Sequence, residues 1–176
     1  MLNDLKKLGG KKIILERFDE LCFTPEYFSW LKDPEVFRFS RHRFINHTDQ
    51  TCLDYLNLFK GTDNLFLTIK SQESSRFIGT MTAYISKYNG TADIGLMIGD
   101  RTVWGIGFGL DAWQTLMNYL FINIGIRKIT AGTLNCNIGM IKIMERSGME
   151  LEAIRQKQQL IENAFQDEFL YAKFRA

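Results

Sequence analysis

Trp104-Gly105-Ile106-Gly107-Phe108-Gly109 sets glycine at alternate positions between an apolar segment ending near Ile98 and a stretch patterned as an amphipathic helix. Glycine admits backbone conformations that a Cβ excludes, and a helix start leaves amide N–H groups unpaired, so this junction can turn several donors toward one anion. Two kinds of phosphate loop fail against the neighbouring residues. A Walker loop ends in Gly-Lys-Ser/Thr, and Gly107-Phe108-Gly109-Leu110 does not. A dinucleotide fold needs an acid roughly 20 residues further on to hold the ribose, and Gly125 through Gly139 contains no Asp or Glu. A tight strand-to-helix turn with no ligand is the plain alternative.

Outward from the loop, period and punctuation predict the elements. Upstream, Ile13 to Phe18, Asn64 to Lys70, Arg76 to Ser86 and Thr91 to Ile98 read as strands, the last three joined by polar turns short enough for an antiparallel meander. Pro25 to Lys32 reads as a short helix capped by Thr24, and a second helix starts at Thr48 or Asp49 and runs through Lys60. Downstream, Trp113, Leu116, Met117, Leu120 and Phe121 give one apolar helix face, with Gly125 as the stop. Ile126 to Leu134 is a strand, Asn137 to Ser147 a helix capped by Asn137, and Met149 to Leu160 and Gln166 to Phe174 are closing strands. The order predicts an α+β (α/β) fold, a mixed and mostly antiparallel sheet of about seven strands flanked by about four helices.

Composition narrows the function classes. A chain of 176 residues with 45% hydrophobic content and only 2 Pro is expected to form a single domain, residues 1–176. Its 22 basic and 20 acidic residues leave a net charge of +2, too close to balance to favour a nucleic-acid partner. Met1 to Lys12 hold Leu2, Leu5 and Leu8 without a continuous apolar run, which predicts neither a signal peptide nor a membrane span and so a cytoplasmic protein. Cys22, Cys52 and Cys136 are odd in number and lack CxxC spacing, and with His42 and His47 as the imidazoles no metal centre is expected. An aromatic-rich surface suits a homodimer.

Four segments taken in order carry a resemblance. They are Ile94 to Asp100; Trp104 to Ala112; Ile129-Thr130-Ala131 with Asn137; and Arg146-Ser147-Gly148-Met149. Together they resemble the GNAT acyl-CoA N-acyltransferases, most closely the branch of ribosomal-protein N-terminal and amino-sugar acetyltransferases. Trp30-Leu31-Lys32-Asp33-Pro34-Glu35-Val36 looks like that branch's early Trp-Leu-Asn-Asp-Pro-Glu-Val segment. The likeness spans roughly Leu15 to Arg175, and its specificity lies in the joint order rather than in one motif.

The resemblance implies acetyl-CoA as cosubstrate, no metal, and direct attack by a primary amine in a ternary complex. Amides of Trp104, Gly105, Ile106, Gly107, Phe108 and Gly109 would hold the pyrophosphate, the strand edge Leu96, Met97 and Ile98 would pair with the pantetheine arm, and Asn137 would add a contact. The amide of Met97 or Ile98 would polarise the thioester. Where relatives place a serine and a tyrosine that protonates the leaving thiolate, this chain has Met140 and Met144, so the acid is not assigned. For the base, Asp93, Glu150, Glu152 and Asp167 lie near predicted sheet ends, and Asp167 falls in a closing Asp-x-x-x-Tyr segment where a structural role competes. His42, in the loop between the first two helices, is either a base or a solvated histidine. Arg38, Arg41 and Arg43 in the same loop could pair with an anionic acceptor, or simply be exposed. Cys136 reads as a small buried thiol rather than a nucleophile, since no base adjoins it. Expected acceptors are an amino sugar or its nucleotide, another small amine, or a ribosomal-protein N-terminus. The competing class is a non-catalytic acyl-CoA-binding module, motivated by the two methionines.

Overall fold

The computed structural model describes residue 5 and residues 7–175, so Leu2 of the N-terminal reading lies outside it. Alternating apolar residues build one eight-stranded sheet with the order β1-β2-β3-β4-β5-β6-β8-β7. β1 (Leu8–Gly9) and β2 (Ile13–Arg17) make a short hairpin, and β3 (Leu65–Ser71), β4 (Phe77–Ser86) and β5 (Thr91–Ile98) extend it antiparallel. β6 (Lys128–Leu134) joins β5 in parallel, and the hairpin of β7 (Glu150–Ile161) and β8 (Ala164–Phe174) closes the far side through β8.

Among the described residues five α-helices cover the sheet: α1 (Pro25–Lys32), α2 (Pro34–Phe37), α3 (Asp49–Asn57), α4 (Phe108–Tyr119) and α5 (Ile138–Arg146). The mixed, mostly antiparallel sheet agrees with expectation, with one strand and one helix more. β1 is two residues long, too short to show a period. α2 is a single turn set off by Pro34 and by the Asp33 carboxylate, which accepts the Glu35 N–H. The caps read from sequence are present: the hydroxyls of Thr24 and Thr48 and the Asn137 carbonyl each accept an amide of the first turn. α4 widens into a π-helical turn over Leu120–Ile124 and stops at Gly125, whose φ is 80°. None of the helices among the described residues is long and apolar enough to cross a membrane.

Strand alternation sends side chains to two different cores. On one face Ile13, Leu15, Leu67, Ile69, Ile94 and Ile129 pack under Trp113, Leu116 and Leu120 of α4 and its extension and Met144 of α5. On the other, Phe18 and Phe66 meet an aromatic layer that includes Tyr27, Trp30 and Phe37 of α1 and α2 and Phe59 just after α3. Each fully buried side chain of this size contributes about 1.5–3 kcal/mol.

The parallel pair in the middle is cut short. β5 and β6 are in register at Thr91–Lys128, Ala92–Ile129 and Asp93–Thr130. Beyond Asp93, β5 stays with β4 as far as Ile98, while β6 stays with β8 as far as Leu134. The two strands therefore part, and a wedge opens toward the loop that starts α4.

Candidate active site

One wall of the wedge is the glycine loop. Gly105 and Gly107 have φ of 77° and 96°, values that L side chains rarely adopt. Gly107 caps α4 without a side-chain bond, and the helix's first bond runs from Asp111 N–H to Gly107 O, at 3.1 Å. The amides of Phe108, Gly109 and Leu110 thus have no partner within the helix, and the positive end of a twelve-residue α-helix lies behind them. Gly109 eases a close approach: a Cβ there would sit 3.1 Å from Ile143 Cδ1 of α5 and 3.3 Å from Leu96 Cδ2 of β5, and these side-chain ends would have to give by a few tenths of an ångström.

A cation that sequence reading missed completes this wall. Lys12 Nζ donates to Ile106 O at 2.8 Å and lies 5.7 Å from the centre of the Phe108 ring. It is held there because the Asp111 carboxylate, in the first turn of α4, accepts the backbone N–H groups of Lys11, Lys12 and Ile13 at 3.1, 2.7 and 3.2 Å. Between 94 and 100 residues of chain separate these partners, so no local signal could have joined them.

The floor of the wedge is the outer edge of β5. Gly99 N–H donates to Ile78 O at 3.0 Å, and antiparallel alternation then turns the backbone of Met97 toward β4 and that of Leu96 and Ile98 toward the wedge. Trp104 agrees with this, since its indole N–H donates to Ile98 O at 2.9 Å from the loop side. Of the two amides named from sequence, that of Met97 is turned into the ladder with β4 and that of Ile98 faces the wedge, while the Met97 side chain packs on the opposite face. Past the last β6 pair, Asn135 Oδ1 is buried with no hydrogen-bond partner, a further group that sequence reading passed over. Trp104, expected to leave binding to its backbone, has its side chain committed to Ile98 and to a cation–π contact with Arg101.

On the face of α1 to α3 the wedge meets a cavity of about 490 Å3, lined in part by Tyr55, Thr80, Thr82, Gly95, Leu96 and Met97. His42 lies on its wall, edge-on to Tyr55 at 5.6 Å and stacked on His47 at 6.1 Å. Burial, and after it the neighbouring His47, pulls the His42 imidazole below its ordinary value, so it is neutral near pH 7. Burial also pushes the Tyr55 phenol up, its bond to Tyr84 at 2.7 Å adding to this, and keeps it protonated. Asp93, at the apex of the wedge, is open to solvent on one side yet crowded on the others; desolvation raises its carboxyl, the bond from Thr130 at 2.7 Å opposes that, and Glu168 adds to it.

The remaining residues named from sequence fall into place around this centre. Arg38 pairs with Glu162 at 2.8 Å, Arg41 with Glu168 at 3.5 Å, and Arg43 donates to Ser40 O at 2.7 Å and to Leu160 O at 3.3 Å. The basic loop is therefore strapped to the β7–β8 hairpin, with the Arg38 and Arg41 side chains still exposed to solvent. Asp167 accepts Lys157 N–H at 2.8 Å where β7 bulges at a φ of 50°, which is a structural use of that carboxylate. Asn137 caps α5 by accepting Met140 N–H at 3.2 Å. Cys136 is a free, half-buried thiol. Met144 is fully buried in the core and Met140 packs against it, so neither position meets the wedge with a polar atom.

Comparison with known proteins matches this geometry. The acetyltransferase (GNAT) domain model matches residues 12–150. The N-acetyltransferase p20 of Bacillus licheniformis, itself uncharacterized, is 28% identical over 173 residues, covering 95% of this chain and 92% of that protein. Among solved structures, a GNAT-family acetyltransferase from Bacillus anthracis superimposes with a TM-score of 0.81 at 18% identity, covering 96% of this chain and 98% of that one. RimL, a ribosomal-protein α-N-acetyltransferase solved in complex with coenzyme A, does so with a TM-score of 0.81 at 16% identity, with coverage of 96% and 98%. With most of its length matched by the domain model and the wedge, loop and helix start in one place, this chain belongs to the GNAT family of acetyltransferases.

Proposed function

We propose that the protein transfers an acetyl group from acetyl-CoA to a primary amine by direct attack in a ternary complex. The observation that carries this reading is the wedge itself. It joins an anion-ready loop on one face of the sheet to a lined cavity on the other, so a donor and an acceptor can meet between β5 and β6. Amides from Gly105 to Leu110 and the Lys12 ammonium hold the pyrophosphate. Backbone groups of Leu96 and Ile98 pair with the pantetheine amides, and Asn135 Oδ1 offers one more acceptor. The donor supplies an acyl thioester. Ile98 N–H, already fixed by the ladder, stabilises charge developing on its carbonyl oxygen. His42, neutral in its cavity, takes the proton from the attacking amine, directly or through water, as the C–N bond forms; the C–S bond then breaks and CoA leaves as its thiolate, protonated from water. Asp167 is left in a supporting role by its bond to the β7 bulge.

The acceptor classes compatible with this chemistry are an amino sugar or its nucleotide, another small amine, and a protein N-terminus. Free-thiol release monitored with acetyl-CoA and a panel of such amines tests the transfer, with calorimetric titration of CoA alongside. Thiol release with stoichiometric appearance of an acetylated amine supports the reading, and failure to bind CoA defeats it. The second reading, a module that binds acyl-CoA without transfer, has the burial of Met144 in its favour; tight binding with no product across the panel would select it.

A further inference from the structure

We infer that the acceptor is a small apolar amine bearing an aromatic or similarly flat hydrocarbon group, and not a phosphorylated or nucleotide-linked one. This rests on the proposed acetyl transfer and names the substrate class of the same site. The cavity's size is that of a small-molecule pocket. Its wall is built from rings and aliphatic side chains, among them Tyr27, Phe37, Tyr55, Phe66 and Met97, with the hydroxyls of Thr80 and Thr82 on the sheet floor. An anion would find no counter-charge there. None of the lining residues is a lysine or arginine, and the guanidinium groups of Arg38, Arg41 and Arg43 are held outside the lining against Glu162, Glu168 and backbone carbonyls. The charged side chain on the lining, Asp54, is itself a carboxylate. The loop carrying His42 is also tied across to β7 and β8, which fixes His42 in its place on the cavity wall. A ring in the cavity meets Phe37, His42, His47 and Tyr55, which already pack against one another with centroids 5.4 to 6.2 Å apart.

The test compares kcat/KM for 2-phenylethylamine, ethylamine, O-phosphoethanolamine and a tripeptide with a free N-terminus, at saturating acetyl-CoA. Burial of a phenyl-sized group predicts a preference of about thirtyfold or more for 2-phenylethylamine over ethylamine. The phosphorylated amine and the tripeptide should fall below ethylamine. Leu58→Arg, at an exposed position on the cavity wall, should lower kcat/KM for 2-phenylethylamine about tenfold and raise that for O-phosphoethanolamine, leaving CoA affinity unchanged. A preference for the phosphorylated amine or the peptide overturns the inference while leaving acetyl transfer standing. A Leu58→Arg protein with unaltered selectivity overturns it too, whereas CoA binding without turnover of any of these amines counts against both the inference and acetyl transfer. Absence of CoA binding instead strikes at the transfer reading itself.

Discussion

Replacing Gly107 by alanine isolates the conformational contribution of the loop. At φ 96° and ψ 0° an L side chain is strained by about 1–2 kcal/mol. Space adds nothing to this, since the new Cβ would meet only Lys12 Nζ, at 3.8 Å. Nor can the loop escape cheaply. Trp104 pins one end to Ile98 O, and the Gly107 carbonyl at the other end accepts the first helical bond of α4. For a chain of 176 residues this strain corresponds to a fall in Tm of about 2–8 °C. Any part relieved by relaxing the loop in the free protein must be restored on binding, and reappears as a loss of CoA affinity of up to about thirtyfold. Thermal unfolding and CoA calorimetry read the two components. Gly61→Ala is the matched control, with φ 71° and nothing within 4 Å of the added methyl; it should lower Tm and leave CoA binding alone. A Gly107→Ala protein with wild-type Tm and wild-type CoA affinity would refute the reasoning, and weaker CoA binding in Gly61→Ala would show that the readout is not specific to the loop.

Three other outcomes are expected. Lys12→Ala should weaken CoA about fivefold and flatten the salt dependence of its binding, because an exposed ammonium on a phosphate contributes through screened charge. His42→Gln should lower kcat about a hundredfold or more with the KM for acetyl-CoA unchanged, and the wild-type pH–rate profile should rise through an acidic limb lying below the ordinary imidazole value. The sign for stability is the same: His42 binds its proton less readily folded than unfolded, so its contribution is complete above the ordinary imidazole range and is lost as pH falls through the lowered folded value. Asp167→Ala should cost about 1 kcal/mol in denaturant unfolding through the lost Lys157 bond, with kcat retained.

The loop, the strand before it and the capped helix after it were legible because each rests on a local rule. Thr91 to Ile98 was read to the residue, and Gly125 and Asn137 were placed by the conformations that helix ends demand. What escaped sequence reading lies between distant segments. Lys12 reaches Ile106 only because Asp111 gathers the amides before β2. The choice between Met97 and Ile98 depends on ladder parity, which Gly99 sets after the strand has ended. The arginines of the loop before α3 looked like free cations because Glu162, Glu168 and Leu160 come more than a hundred residues later. Met140 and Met144 were visible departures from the family pattern, and the structure gives the reason: both positions are claimed by packing.

The Asp111 latch also ties the fate of two distant stretches together during breathing of the native state. While its carboxylate holds the amides of Lys11, Lys12 and Ile13, the hairpin at the sheet's edge cannot fray without loosening the first turn of α4. Edge hairpins ordinarily exchange their amide hydrogens by cheap local opening. Here the amides at the β1–β2 turn and those at the start of α4 should exchange as one cooperative unit, and an anion bound at the loop should slow both. Asp111→Asn should separate the two exchange rates, leaving the hairpin to open on its own.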